Sequence, residues 1–334
     1  MSKCLNPKCL ATNSKNDLHC YQCGSKLLLK ERYRPLKLIG EGGFGRTFLA
    51  VDEDKPSKPP CVIKQFLPQA QGTTNLEKAS KFFEEEAKRL DELGTHPQIP
   101  ELLAYFTQES QQYLVQEFVR GSNLQENLEE NGVFNESQIR ELLLNILPVL
   151  NFVHQSKVIH RDITPYNLII RKEDNKLFLV DFGAAKVVEN TRLLSLTGTV
   201  IGSAQYIAPE QAMGKPQYAS DLYSLGVTCL SLLTGIEPFN LFDAGDNSWV
   251  WRDYLVDNPV SEDFGKILEK LTQQGYKKRY QSADELLLIL TGEKKKTQIA
   301  DNPKLKHPQK ADYNQADYYY KRSQDRYQKG DYEG

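Results

Sequence analysis

Early in the chain, apolar residues alternate with polar ones or run together briefly in four segments. These are Leu36-Lys37-Leu38-Ile39, Thr47-Phe48-Leu49-Ala50-Val51, Pro60-Cys61-Val62-Ile63-Lys64 and Tyr113-Leu114-Val115-Gln116-Glu117-Phe118. Each predicts a β-strand. Between the third and fourth, Lys78 to Leu93 repeats Ala79, Phe82, Phe83, Ala87 and Leu90 at helical spacing. Beyond Asn135 the period is helical: Glu136 to His154, Ser220 to Leu233 and Phe264 to Leu271. Pro148 predicts a kink in the first of these. Strands first and helices later predict an α+β chain, a small mostly-β lobe joined to a larger mostly-α lobe.

Composition narrows the function classes. Charged residues make up 26% of the chain, hydrophobic ones 40%, and the net charge is −2. That balance is ordinary for a globular protein and gives no reason to expect nucleic acid as the main partner. The most apolar stretch, Leu222 to Leu233, is interrupted by Ser224, Gly226, Thr228 and Ser231. It falls short of the ~20 residues a bilayer needs, so it reads as a buried helix and no membrane span is expected. The polar N-terminus lacks the apolar core of a signal peptide, which predicts a cytoplasmic protein with reduced cysteines.

The candidate chemistry lies in three places. Gly40-Glu41-Gly42-Gly43-Phe44-Gly45 is a G-x-G-x-x-G stretch between two predicted strands, where glycines let the backbone approach phosphates closely. A dinucleotide site would need a helix after the glycines and an acidic residue about 20 positions on. Thr47 to Val51 reads as strand and that acid is absent, so the dinucleotide alternative loses. Further on, His160-Arg161-Asp162-Ile163-Thr164-Pro165-Tyr166-Asn167 is followed by Asp181-Phe182-Gly183. This spacing suits phosphoryl transfer from a magnesium nucleotide: Asp162 to orient a hydroxyl, Asn167 and Asp181 to hold metal. Taken alone, Lys64 would be a solvated strand lysine and His160 a core histidine.

Together with Ala208-Pro209-Glu210, Asp221-Leu222-Tyr223-Ser224-Leu225-Gly226 and Arg279, these motifs resemble eukaryotic-type (Hanks-type) bacterial serine/threonine protein kinases over residues 33–291. The resemblance implies the two-lobed kinase fold, with an N-lobe over 33–118 and a C-lobe over 122–291. It implies ATP and Mg2+ as cofactors, Ser and Thr hydroxyls of proteins as acceptors, and a role in signalling. Asp162 becomes the catalytic base. Lys64 grips the α- and β-phosphates and pairs with Glu86, with Glu84 and Glu85 as alternatives. Gly40, Glu41, Gly42, Gly43, Phe44 and Gly45 form the phosphate lid. Glu117 and Val119 meet the adenine edge in front of Gln116, and Asn123 reaches the ribose. Glu210 and Arg279 brace the helical lobe, while Asp221 holds the catalytic loop. Arg161 beside Ser195, Thr197, Thr199 and Ser203 implies regulation by phosphorylation of that segment, with Thr197 or Thr199 favoured. Val200 to Tyr206 resembles a substrate platform, which with Pro165 favours Ser/Thr over Tyr.

One residue departs from the pattern. Thr164 stands where Ser/Thr kinases have a lysine, and Tyr166 supplies no arginine in its place. Losing one preorganised charge contact costs on the order of 3 kcal/mol, about a hundredfold in rate. A working but slow kinase is the expectation; the alternative is a nucleotide-binding pseudokinase that acts as a scaffold. A small-molecule phosphotransferase ranks third, having no need of Ala208-Pro209-Glu210.

Residues 1–29 carry Cys4, Cys9, Cys20 and Cys23 as two close pairs. Four thiolates so spaced suit one tetrahedral Zn2+, which would supply the folding energy a segment this short lacks. Disulfides, redox-active thiols and an unstructured prefix are the rivals. The arrangement resembles bacterial kinases with an N-terminal four-cysteine module. Cys61 and Cys229 lie in apolar segments and read as packed, inert thiols. Residues 292–311, polar and lysine-rich, read as a linker. In 312–334, Ala316, Tyr319, Tyr320, Ser323, Tyr327 and Gly330-Asp331-Tyr332 resemble the start of a tetratricopeptide repeat, against a disordered tyrosine-rich tail. Protein partners are expected through the cysteine module and this repeat.

Overall fold

The computed structural model describes residues 1–42, 45–67, 73–94, 96–182 and 202–292. Gly43, Phe44, Ser195, Thr197, Thr199, the Ser203 side chain, most of the linker and the tail lie outside the described residues.

Five antiparallel strands build the first lobe. They are β3 (Tyr33–Gly42), β4 (Gly45–Asp52), β5 (Pro60–Phe66), β6 (Leu102–Gln108) and β7 (Gln111–Glu117), in the order β3-β4-β5-β7-β6. Two short strands, β1 (Ser2–Lys3) and β2 (Thr12–Asn13), pair separately in the cysteine-bearing segment. All four predicted strands fall on sheet strands. β6 was not predicted: it is an edge strand whose residues are mostly half-buried, so its apolar pattern does not alternate.

Strand alternation divides this sheet into two faces. The register Arg46↔Gln65, Phe48↔Ile63 and Ala50↔Cys61 puts those six residues on the outer face. There Phe48, Ala50, Cys61 and Ile63 are buried with Tyr33, Tyr113, and Leu5 and Leu29 from the N-terminal segment. Lys64 and Phe66 point the other way, toward helix α1 (Thr73–Leu93). α1 buries Ala79, Phe83, Ala87, Leu90 and Leu93 along one stripe, and the Phe66 and Phe83 rings lie 5.3 Å apart.

The second lobe is helical. Helix α3 (Glu136–Gln155) starts on an Asn135–Gln138 capping box and runs unbroken through Pro148. The helix Tyr218–Thr234 is buried from Ala219 to Thr234, so the chain's most apolar stretch is a central core helix. Gly226 permits a close crossing. A Cβ there would lie 2.8 Å from Leu271 Cβ and 2.9 Å from Thr272 Cγ2, at the end of the helix Glu262–Leu271. A small sheet, β8 (Gly121–Asn123), β9 (Leu168–Arg171) and β10 (Leu177–Leu179), follows the order β10-β9-β8 and frames residues 160–167.

Candidate active site

Lys64 projects from the inner face of β5 and donates its Nζ to Glu86 on α1 and, at 3.2 Å, to Asp181 Oδ1. The sheet, α1 and the turn after β10 thus meet at one ammonium group, which is 14% exposed. The two alternative glutamates point elsewhere, Glu84 to Lys88 at 2.7 Å and Glu85 to Arg89 at 3.7 Å. The glycine stretch spans the β3–β4 connection, with Gly42 opposite Gly45. Gly45 has φ 155°, and a Cβ there would sit 1.9 Å from the Gln65 carbonyl oxygen. Glycine alone fits so close to the neighbouring strand.

The catalytic-loop segment is held from below by Asp221. Its Oδ2 accepts from His160 N at 2.9 Å and its Oδ1 from Arg161 N at 2.8 Å, while His154 Nε2 lies 2.8 Å from Oδ2. Burial alone would raise the Asp221 pKa, but these donors hold it below the ordinary carboxylate range. Burial keeps His160 neutral, pushing its pKa down. Its Nδ1 accepts from Asp162 N at 3.3 Å, which makes Nε2 the donor to Val180 O at 3.1 Å. Asn167 Nδ2 donates to Asp162 Oδ2 at 2.7 Å and to Asp162 O at 2.8 Å. Val180 N donates to Asn167 O at 3.0 Å, joining this loop to the residue before Asp181. Arg161 (φ 72°) and Asp181 (φ 65°) both sit in the left-handed backbone region.

Thr164 is 1% exposed, and its hydroxyl has no hydrogen-bond partner among the described residues. Glu117 N donates to Glu101 O at 2.9 Å, Val119 is buried, and Gln116 Oε1 is buried without a partner among the described residues. Asn123 caps helix α2 (Leu124–Asn131) in a capping box with Glu126. Glu210 accepts from Arg279 at 2.7 and 3.0 Å and from Ser220 at 2.6 Å. Against the effect of burial, these donors lower the Glu210 pKa.

Two residues escaped the sequence reading. Arg89 donates Nη1 to Phe182 O at 3.2 Å, linking α1 to the Asp181 turn. The signal was its position one helical turn beyond Glu86. Gln65, adjacent to Lys64 on the opposite face, donates Nε2 to Leu5 O at 2.8 Å. Nothing in its sequence neighbourhood announces that contact.

The four N-terminal cysteines converge. Their sulfurs all lie within 4.8 Å of one another, with Cys4 and Cys23 3.6 Å apart and Cys9 and Cys20 3.7 Å apart. Four sulfurs at ~2.3 Å from a tetrahedral ion would be roughly 3.8 Å apart. The Ser25 hydroxyl and backbone lower the Cys23 pKa to about 6, while burial pushes the Cys4 thiol up.

Residues 33–288 match the family model for the protein kinase domain. The chain belongs to the protein kinase family. This kinase is 42% identical over 296 residues to "Serine/threonine-protein kinase B" of Synechocystis sp., covering 86% of this chain and 51% of that one. It is 40% identical over 269 residues to "Serine/threonine-protein kinase PknA" of Nostoc sp., covering 79% and 47%. The kinase chain thus spans about half the length of these curated relatives. Its fold is that of solved kinases: TM-score 0.63 to "PpkA-294 apo form" at 22% identity, covering 78% of this chain and 96% of that chain. A Mycobacterium tuberculosis PknI kinase domain gives 0.58 at 17% identity, with the same coverage.

Proposed function

We propose that this kinase transfers the γ-phosphate of ATP to Ser and Thr hydroxyls of proteins, its own activation segment included. The observation that carries the proposal is Lys64 held between Glu86 and Asp181, with the Asp162–Asn167 pair tied to the same turn through Val180. The similarity to proteins named serine/threonine-protein kinases supports the acceptor class. Lys64 positions the α- and β-phosphates, and Gly40 to Gly45 cover them. Glu117 and Val119 present backbone groups to the adenine edge, and Asn123 lies near the ribose. Asp162 accepts a hydrogen bond from the substrate hydroxyl and aims its oxygen at the γ-phosphorus.

Protein kinases use Mg2+ with ATP, and the residues here fit it. Asn167 commits its amide nitrogen to Asp162, which leaves its oxygen for a cation, and Asp181 adds a carboxylate. Bound there, Mg2+ would neutralise charge on the triphosphate. Thr164 adds no positive charge beside the transferring group, so turnover is slow rather than absent. Cys4, Cys9, Cys20 and Cys23 form a module holding one Zn2+, which their sulfur spacing supports; reduced cysteines of this kind fit a cytoplasmic setting. No helix among the described residues is long and apolar enough to cross a membrane. Residues 292–311 act as a linker to a partner-recruiting repeat beginning at 312.

The decisive experiment is Mg-ATP phosphotransfer to a generic protein substrate with phosphosite mapping, alongside Asp162→Asn. Phosphate on Ser or Thr, including Thr197 or Thr199, is expected and should fall at least ~100-fold in the variant. Transfer no greater than that of the variant, with ATP still bound, would leave the scaffold alternative standing.

A further inference from the structure

We infer that Arg46 is a positioning residue for the nucleotide, coupling the four-cysteine module to the phosphate-covering hairpin. The metal-dependent part rests on the zinc reading above. Consecutive residues of a strand face opposite ways, so Lys64 enters the cleft while Gln65 turns to the outer face. Gln65 there donates to Leu5 O at 2.8 Å and to Tyr113 Oη at 3.2 Å. Its cross-strand partner is Arg46, one residue past the last glycine of the lid. Arg46 donates Nε to Glu41 Oε1 at 2.9 Å and Nη1 to Pro7 O at 3.0 Å. One guanidinium therefore holds the lid on one side and the turn between Cys4 and Cys9 on the other.

This contact bridges a gap. An open cleft of about 130 Å³, lined by Pro7, Glu41, Gly42, Gly45, Arg46 and Leu67, separates module and hairpin. At the hairpin end the bridge adds a tie to those that Gln65 and Arg34 make to the same segment farther along the strands. The Pro7 carbonyl is aimed by a tight turn in which Cys9 N and Leu10 N both donate to Asn6 O, at 2.9 and 3.2 Å. That turn ends on two of the four sulfurs. Cross-linking them through a metal fixes Pro7, hence Arg46 and the lid. Removing the metal leaves a loop too small to hold its own shape.

The test is equilibrium binding of a non-hydrolysable Mg-ATP analogue to the full chain, with metal content measured in the same samples. Arg46→Ala, still one metal per chain and still folded by thermal scan, should bind the analogue about three- to tenfold more weakly. Its KM for ATP should rise by the same factor with kcat at saturation unchanged, and Arg46→Lys should recover part of the loss. Stripping the metal with a chelator should weaken the wild-type chain similarly and add nothing in Arg46→Ala. Wild-type affinity in Arg46→Ala overturns the inference, as does stripping that weakens both chains equally. Should the purified chain carry no metal, the zinc reading fails separately. The Arg46 variants, Lys included if Ala does not fold, still decide the positioning role.

Discussion

At the residue scale, His160, His96, Asp221 and Glu210 make the fold acid-sensitive in a defined direction. Burial depresses the pKa of His160 and of His96 below the ordinary 6.5. Between their folded values and 6.5 the unfolded chain binds protons that the native chain does not, so stability rises with pH across that window. Asp221 and Glu210, also depressed, add a second loss as pH falls below the ordinary carboxylate range, about 4. Urea unfolding at pH 7.5 and 5.5 should show lower stability at 5.5; equal midpoints would contradict the assignment. Thr164 offers a second test at this scale. An unpartnered buried hydroxyl costs roughly 1–3 kcal/mol, so Thr164→Val should leave the melting temperature unchanged or raised. A large drop in that temperature would mean the hydroxyl has a structural partner after all.

At the element scale, long periodic segments were legible and short pairing-dependent ones were not. Lys78 to Leu93 and Ser220 to Leu233 predicted helices that the structure extends by a few residues at the N-terminal end. β8, β9 and β10 have only three or four residues each, too few for a period, and exist because they pair with one another. α2 buries only Leu124, so it has no apolar stripe to read. Lys64, Glu86, Asp162, Asn167 and Asp181, which the structure brings together, could be picked out because the chemistry proposed for them, unlike packing, fixes residue identity at fixed spacing. Arg89 and Gln65 were not, since each acts through a neighbour distant in sequence. One element-scale prediction concerns the brace between the helix Pro209–Ala212 and Arg279, whose guanidinium is fully buried. Arg279→Ala strands Glu210 in a low-dielectric site and should cost about 3–5 kcal/mol, measured by chemical denaturation. A cost below ~1 kcal/mol would show that water or another donor replaces the arginine.

At the scale of the whole molecule, the N-terminal segment and the sheet share one apolar cluster. Leu5 and Leu29 close over Phe48, Ile63 and Tyr113, while Arg34 reaches Asp17 O at 2.9 Å and Ser2 reaches Pro35 O at 3.3 Å. A lone leucine in a polar, cysteine-bearing stretch gave no hint of this docking. Leu5→Ala should destabilise the full chain by about 2–4 kcal/mol, read as a lowered urea midpoint. An unchanged midpoint would mean the segment merely rests on the lobe.

The shared cluster also bears on how such chains can be recombined. A domain that carries its own interior can be cut out and joined elsewhere with little regard for its host. The segment ahead of Tyr33 has only a small interior of its own, around Cys4, Cys20 and Leu27, and seats Leu5 and Leu29 in the sheet's cluster instead. Its seat is written into the host strands as Arg34, Arg46, Gln65 and Tyr113, four positions in four separate strands. A chimera that moved residues 1–29 onto an unrelated catalytic lobe would inherit the cysteines without the seat. The two parts must therefore change together, and drift in either is felt by the other.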